Sequence, residues 1–483
     1  MRRGSVLCLL FALSVSPLAL QACGGASSNG LAGNGDGGAS SSSGGGSGGG
    51  SSGGSSGSSS GTSGGSSGGS SGGASSGGHD ASTDGSGCTT SIHGTVWDPA
   101  KAHPIYNAIV YVPSDSLGTI AQGPSCDLCG SPPSGKPVAI TLSKPDGTFE
   151  LQGVPAGANV PIVVQVGKWR RENARIPTVT ACGDTAVDGE LTRLPKNKSE
   201  GYVPHIAIST GLDAVECALQ DMGVDTAEFT DSTQDGRIHL YQGSTAYGAT
   251  APGTTTQPAT SLWNAQSTIN QYDMVIDACQ GAAPTDKPQA AIDNIQTFAA
   301  QGGRVMLEHY EDYVIWPTTG TSAWSSTGVE DTQALTTVAA TDIAIDLGFP
   351  KGNAFAQWAM KVGASTQLGL IASLTNARED VLSVSSPARS WMTGPVSGGV
   401  GADGGALDNV YEYSFYAGSA ACGKVAYSDF HVSAGTLSAS TFPSECAGAQ
   451  MDPVEEALWE FLLLDALSCT QDDSLPPQVP PTH

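Results

Sequence analysis

Polar and apolar residues alternate with a period of two from Ser91 to Asp98, in the run Ser-Ile-His-Gly-Thr-Val-Trp-Asp. The pattern returns at Asn107–Val112, Val138–Leu142, Thr148–Leu151 and Val160–Val166. Turn clusters at Pro145-Asp146-Gly147 and Pro155-Ala156-Gly157 separate the later runs. A period of two sends successive side chains to opposite faces, and Pro, Gly and Asp reverse the chain. Residues 88–195 are therefore expected to form an antiparallel β-sandwich.

After residue 200 the period changes. His205–Ser209, Asp273–Asp277, Arg304–Leu307 and Lys424–Ser428 are short apolar runs that read as buried strands. Between them, Leu212, Val215, Leu219 and Met222 recur at helical spacing, with Gly223 as the stop. Ala290–Ala300 carries Ile292, Ile295, Phe298 and Ala299 on one face. Pro453–Leu467 carries Val454, Leu458, Phe461 and Leu462. Strand–helix alternation predicts a parallel sheet with helices on both faces, an α/β three-layer, flavodoxin-like domain over 200–470. Residues 320–414 show no clear period and are expected to be long loops. Residues 471–483 are read as a disordered tail.

The beginning of the chain follows other rules. Arg2 and Arg3 precede an apolar run, Val6–Leu13, that leads to Leu20-Gln21-Ala22-Cys23. A basic start, an apolar core and small residues before a cut make residues 1–22 a signal peptide. Residues 23–87 are mostly Gly and Ser; roughly 27 of the 65 Gly of the chain fall there. Such a segment cannot offset the cost of ordering its backbone, so it is expected to be a disordered linker. Its r.m.s. span would be about 45 Å. It serves either reach or plain separation.

Composition narrows the partners. The chain has 483 residues and a net charge of −25. Residues 200–470 hold 31 acidic and 8 basic side chains, nearly all of the excess. That balance excludes nucleic acid as the main partner, because phosphate binding needs a basic surface. There is no Asp-x-Asp-x-Asp-Gly loop for calcium, so the acidic surface reads as solubilising. No cofactor and no metal are expected. In the first unit the bases gather at Lys168-Trp169-Arg170-Arg171. Trp169 could stack on a sugar ring while Arg170 and Arg171 grip an anionic polymer. Alternatively, Trp169 packs in the sandwich and the arginines pair with the acidic neighbouring domain.

Of 11 cysteines, Cys8 leaves with the signal and Cys23 stands at the cut. Nine remain for an oxidising compartment, and an odd number leaves at least one outside a bridge. The expected pairs are Cys88–Cys182, Cys126–Cys129 and Cys446–Cys469, with Cys217, Cys279 and Cys422 left over. Ligands of parallel sheets bind at the carboxyl ends of strands. Four strands here end in Ser209-Thr210, Ala278-Cys279-Gln280-Gly281, Glu308-His309-Tyr310 and Asp429-Phe430-His431. Cys279, His309, His431 and Asp429 are thus the candidate catalytic residues, since Cys beside His makes a thiolate nucleophile. Thr210 and Tyr310 are candidates for ligand contact.

Three resemblances follow from these residues. Leu20-Gln21-Ala22-Cys23 resembles the bacterial lipobox, which implies lipid on Cys23 and a membrane anchor. Gly24, not Asp, implies the outer membrane. Gly94-Thr95-Val96, Asn107-Ala108, Asp146-Gly147-Thr148-Phe149 and Val154-Pro155-Ala156-Gly157 resemble the carboxypeptidase regulatory-like (transthyretin-like) domain, an accessory module. Tyr272-Asp273, Gly302-Gly303 through His309, and Gly423 through Tyr427 to His431 resemble the class I glutamine-amidotransferase-like superfamily, in its ThuA-like branch. In that superfamily a Gly-x-Cys-x-Gly elbow follows the Gly-Gly strand. Here the strand ends in Glu308-His309-Tyr310, which puts amidotransferase chemistry in doubt. Together these imply a cell-envelope lipoprotein without catalysis that binds a carbohydrate or another envelope partner. The alternative is a carbohydrate-active or hydrolytic enzyme with a strand-end site.

Overall fold

The computed structural model describes residues 87–282, 286–332, 341–400, 406–435 and 438–482. The signal, the lipidation residue Cys23 and the Gly/Ser segment up to residue 86 lie outside the described residues.

Period-two alternation does build two facing sheets in the first unit, whose second sheet also takes a short strand, Gly201–Tyr202, from beyond the expected boundary at 195. One has three strands, in the order Thr148–Gln152, Ser91–Thr95, Asp184–Ala186. The other has five, in the order Gly201–Tyr202, Trp169–Arg171, Val163–Val166, Ile109–Pro113, Pro137–Leu142. Ile92, Phe149 and Leu151 of the first sheet share one apolar cluster with Val110, Val112 and Val164 of the second. The sandwich is not wholly antiparallel, as the sequence suggested. Ser91–Thr95 pairs parallel with Asp184–Ala186, and Cys88–Cys182 bridges the approach to that pair, with a Cα–Cα distance of 5.1 Å.

The second unit is organised by one ten-stranded sheet. Its strands in chain order are β1 (Ile206–Thr210), β2 (Phe229–Thr230), β3 (Ile238–Gln242), β4 (Met274–Asp277), β5 (Arg304–Glu308), β6 (Thr341–Ile345), β7 (Leu370–Leu374), β8 (Arg389–Val400), β9 (Ala406–Ala417) and β10 (Gly423–Ser428). Across the sheet they run β2-β3-β1-β4-β5-β10-β9-β8-β6-β7. The first six are mutually parallel, and the remaining four add antiparallel. The expected all-parallel sheet is therefore mixed. The supposed loops of 320–414 hold three of the antiparallel strands and the start of a fourth, as well as a 13-residue helix.

Helices cover the sheet: α1 (Val215–Asp221), α2 (Gln289–Ala300), α3 (Pro350–Val362) and α4 (Pro453–Leu467). Asp452 caps α4 by accepting from Val454 N at 2.9 Å and Glu455 N at 3.2 Å, with Pro453 in the first turn. This satisfies donors that a helix start leaves open. Leu458, Trp459, Leu462 and Leu463 of α4 are all fully buried. They join the same apolar cluster as Ile92 and Phe149 of the sandwich. The core thus runs without a break from sandwich to sheet, and all described residues fall in one compact unit.

The disulfides reinforce this union and correct two expected pairings. Cys126 bonds Cys422, Cys129 bonds Cys469 and Cys217 bonds Cys446, at separations of 296, 340 and 229 residues. Cys126–Cys129 and Cys446–Cys469 do not form. The segment that carries Cys126 and Cys129 leaves the sandwich and lies on the amino-terminal edge of the large sheet. There Thr470 N donates to Asp127 O at 2.8 Å, and Cys129 N donates to Thr470 O at 3.0 Å. The tail read as disordered is also fastened. Asp473 meets Lys351 at 2.9 Å and accepts from the Tyr416 hydroxyl at 2.7 Å.

Candidate functional site

Parallel registers fix where the strand ends lie. Ser209 is level with Asp277, Asp277 with Leu307, and Glu308 with Ser428. Residues just after β1, β4, β5 and β10 therefore arrive at one edge. The approach of the first two is close. Leu212 N donates to Cys279 O at 2.5 Å. A Cβ on Gly211 would stand 2.1 Å from that same oxygen, so only glycine fits there.

Strand β5 ends in a sharp turn. His309 takes φ +53 as the first residue of the 3-10 turn His309–Val314. A non-glycine residue in the left-handed region is a strained conformation that clusters at functional sites. The elbow between β5 and the turn thus presents an imidazole. Beyond β10 the chain brings back a second imidazole. His431 N donates to Asn376 O at 3.0 Å. The Asp213 carboxylate, after β1, clamps the following residues by accepting from Val432 N at 2.9 Å and from Ser433 N at 3.0 Å.

Three of the four expected catalytic residues converge. The His309 and His431 rings lie 4.0 Å apart at 32°. One ligating atom each from Cys279, His309 and His431 falls within 4.8 Å of the others. All three residues are at most 2% exposed. Leu212, Tyr247 and Tyr310 form the apolar packing around Cys279.

The electrostatics of the two rings diverge. Burial, the neighbouring His431 and Arg378 hold the His309 imidazole well below its ordinary value, so it is neutral. Burial alone would depress His431 as well. The Cys279 thiol, which hydrogen-bonds it, and the Asp213 carboxylate outweigh that and push it up to about 9. Glu308, one residue before the elbow, accepts from Trp459 Nε1 at 2.6 Å, and burial raises its carboxyl far above the usual range.

Asp429 does not join the cluster. Its carboxylate accepts from Asp380 N at 2.7 Å and lies 3.0 Å from the Tyr427 hydroxyl, with its pKa raised by burial and by Asp380. It belongs to a neighbouring network in which Arg378 forks onto Asp380 at 2.6 Å through two nitrogens.

The expected ligand contacts turn out to be framework. Tyr310 lies under the Arg378 guanidinium, 4.0 Å from ring centre to cation. Thr210 donates to Tyr241 O at 3.1 Å and Ala249 O at 2.8 Å. Trp169 is fully buried and donates to Pro195 O at 3.0 Å. Arg170 pairs with Glu172 and donates to Gly118 O at 2.8 Å, and Arg171 pairs with Glu200 at 2.9 Å. Packing claims the Trp because it sits within a five-stranded sheet, where no sugar can stack. Sequence reading placed Glu308 at a strand end without giving it a role, and it missed Asp213 and Arg378. Asp213 could have been found, since it is a carboxylate just beyond the end of a strand already identified.

No family model matches the chain, and no curated protein matches it. Several solved structures align with it at low identity. A ThuA-like protein from Bacteroides uniformis aligns at 11% identity and TM-score 0.31, covering 57% of this chain and 97% of that one. A ThuA-like protein from Parabacteroides merdae aligns at 11% identity and TM-score 0.28, covering 55% and 90%. A GMP synthase protein from Thermoplasma acidophilum aligns at 8% identity and TM-score 0.28, covering 55% and 94%. Likenesses this slight carry no argument about activity; they place ThuA-like and amidotransferase-like proteins among the structures to which this chain is similar.

Proposed function

We propose that this chain is a cell-envelope lipoprotein, held at the outer membrane through Cys23 and a Gly/Ser leash, whose head binds a carbohydrate or another envelope partner without transforming it. The head is read as a carboxypeptidase regulatory-like sandwich fused to a ThuA-like α/β body. The observation that carries the reading is the set of four disulfides, three of them spanning 229 residues or more. Such bridges persist in oxidising compartments, in keeping with a cleaved signal. The burial of Cys279, His309 and His431 supports a binding role, because a polysaccharide cannot reach them. A surface groove suits a ligand better. Two adjoining cavities of about 490 and 320 Å³ share Leu117, Glu172 and Asn173, with Arg175 lining the larger and Lys198 and Tyr202 the smaller.

Metabolic labelling with palmitate tests the anchor: label is expected on the full chain and absent from Cys23→Ala, which is released in soluble form. Capture of the full chain on purified cell-wall glycan tests the groove. Arg175→Glu is expected to weaken capture by roughly tenfold, about 1.4 kcal/mol. An unlabelled protein, or one that cleaves the glycan, overturns the reading. The second reading, a hydrolytic enzyme, draws on the Cys279–His431 contact beside the elbow. It requires the cover of Leu212, Tyr247 and Tyr310 to open. Turnover that disappears in Cys279→Ser while lipidation persists would favour it.

A further inference from the structure

We propose that Cys279, His309 and His431 bind one late first-row metal ion, with zinc(II) the ion whose preferences they meet best. The argument begins from an imbalance. Both ring nitrogens of His309 and the Nε2 of His431 are buried and make no well-formed hydrogen bond. An imidazole nitrogen taken from water without a partner costs about 1–3 kcal/mol, and here three such atoms gather in one place. Elsewhere in the same sheet a buried histidine does find partners: His239 Nδ1 meets the Tyr272 hydroxyl at 2.9 Å.

The donors are of the right kind and in nearly the right place. One thiol and two imidazoles form a sulfur–nitrogen set that favours zinc and its neighbours over magnesium or calcium. Tetrahedral bonds of about 2.0–2.3 Å put neighbouring ligand atoms about 3.3–3.6 Å apart. All three donor atoms lie within 4.8 Å of one another, so the side chains need to close by at most about an ångström. Each ligand is held by a different strand end, so rotation of side chains suffices and the sheet need not move. His309 is set by a left-handed backbone that a β5 strand end would not otherwise adopt. The fourth position is left to water. The ion would enter before the head closes, or through the cover of Leu212, Tyr247 and Tyr310.

This inference stands apart from the envelope role and from glycan binding, and its test reads metal alone. The full chain is expressed with zinc supplied during export, and separately loaded with cobalt(II) after purification. Elemental analysis is expected to give one zinc per chain. Cobalt is expected to give visible ligand-field bands of a tetrahedral site together with a near-ultraviolet sulfur-to-cobalt band. Cys279→Ser is expected to lose the sulfur band and to weaken cobalt by roughly tenfold or more. His309→Ala is expected to lose the tetrahedral bands. Should either variant fold poorly, the wild-type stoichiometry decides. A chain with its four disulfides formed that holds neither zinc nor cobalt under both loading routes overturns the proposal. So does cobalt binding that keeps its sulfur band in Cys279→Ser.

Discussion

Two groups of buried ionisable side chains, one at the amino-terminal edge of the large sheet and one at its carboxyl-terminal edge, are satisfied in opposite ways. At the amino-terminal edge, Lys424 at the start of β10 and Lys351 of α3 are fully buried. Both pair with Asp465 of α4, Lys351 at 2.9 Å, and Lys351 also meets Asp473. Arg304, at the start of β5, donates to Cys422 O at 2.6 Å and Ser468 O at 3.1 Å. Each of these charges has a partner. At the carboxyl-terminal edge, both ring nitrogens of His309 and the Nε2 of His431 make no well-formed hydrogen bond. A buried pair stabilises little when compared with apolar packing, but it tolerates no loss of one member. A cluster with unsatisfied imidazole nitrogens costs the fold something as it stands, and deleting a member costs less than breaking a buried ion pair. The first edge is built to hold the chain together. The second has the signature of a site.

Removing Asp465 is the strongest way to break this comparison. Asp465→Ala leaves Lys351 and Lys424 buried, with Asp473 alone to meet them. The expected cost is about 3–5 kcal/mol, read as a lowered midpoint in urea unfolding of the full chain. A loss under about 1 kcal/mol would mean that the edge is hydrated and the pairing is incidental.

The same contrast explains what could be read in the sequence. The parallel strands are apolar runs flanked by turns, and Asp273–Asp277 and Lys424–Ser428 were placed within a residue of β4 and β10. Three of the site residues followed, because topology alone sends strand ends to one edge. The hairpin β8–β9 was not legible. Thr393-Gly-Pro-Val-Ser-Gly-Gly399 looks like loop, and its strand character comes from pairing with β6 at Thr393 and with β9 at Thr393, Gly394 and Pro395. Cysteine pairing was not legible either. Spacing suggests neighbours, whereas Cys126 and Cys129 find partners about 300 residues away, across the seam between sandwich and sheet. Asp429 was misplaced because residues beyond a strand end no longer alternate, so its side chain could turn toward Asp380.

An intermediate case sits at that seam. Asp98, His103, Asp221, Glu456 and Glu460 face one another around a cavity of about 270 Å³. His103 Nδ1 meets Glu460 Oε2 at 2.6 Å, while Glu460 Oε1 has no partner. Burial, then Glu460, raises Asp98 to about 7. Burial, then Asp221 and Glu460, raises Glu456 to about 7. His103 is raised by Glu460 against the effect of burial. The folded state therefore binds protons that the unfolded chain releases. For the carboxyls this stabilises the fold below about pH 4 and is lost as pH climbs to about 7. For His103 it is lost as pH rises through its raised folded value. These three contributions share one sign, while His239, lowered to about 4 by burial, acts the other way; stability is expected to fall between pH 5 and 7.5 by about 2 kcal/mol, a few degrees in Tm. Glu456→Gln should flatten the slope. A Tm that rises over this range would contradict the arrangement.

The smallest effect is the sharpest test of the distinction between edges. Cys279→Ala in metal-free protein removes a small side chain and its hydrogen bond to His431. It leaves His431 Nε2 and both His309 nitrogens as they were. The expected change in unfolding free energy is about 1 kcal/mol, less than for Asp465→Ala. Adding zinc should then separate the two proteins. An ion that binds only the folded wild type raises its midpoint by about 2.7 kcal/mol at a hundredfold excess over Kd, and leaves Cys279→Ala nearly unmoved. Parallel urea titrations with and without zinc measure both quantities on the same chains. If Cys279→Ala proves as damaging as Asp465→Ala without metal, the carboxyl-terminal cluster is framework like its counterpart, and the two edges differ only in which side chains do the bracing.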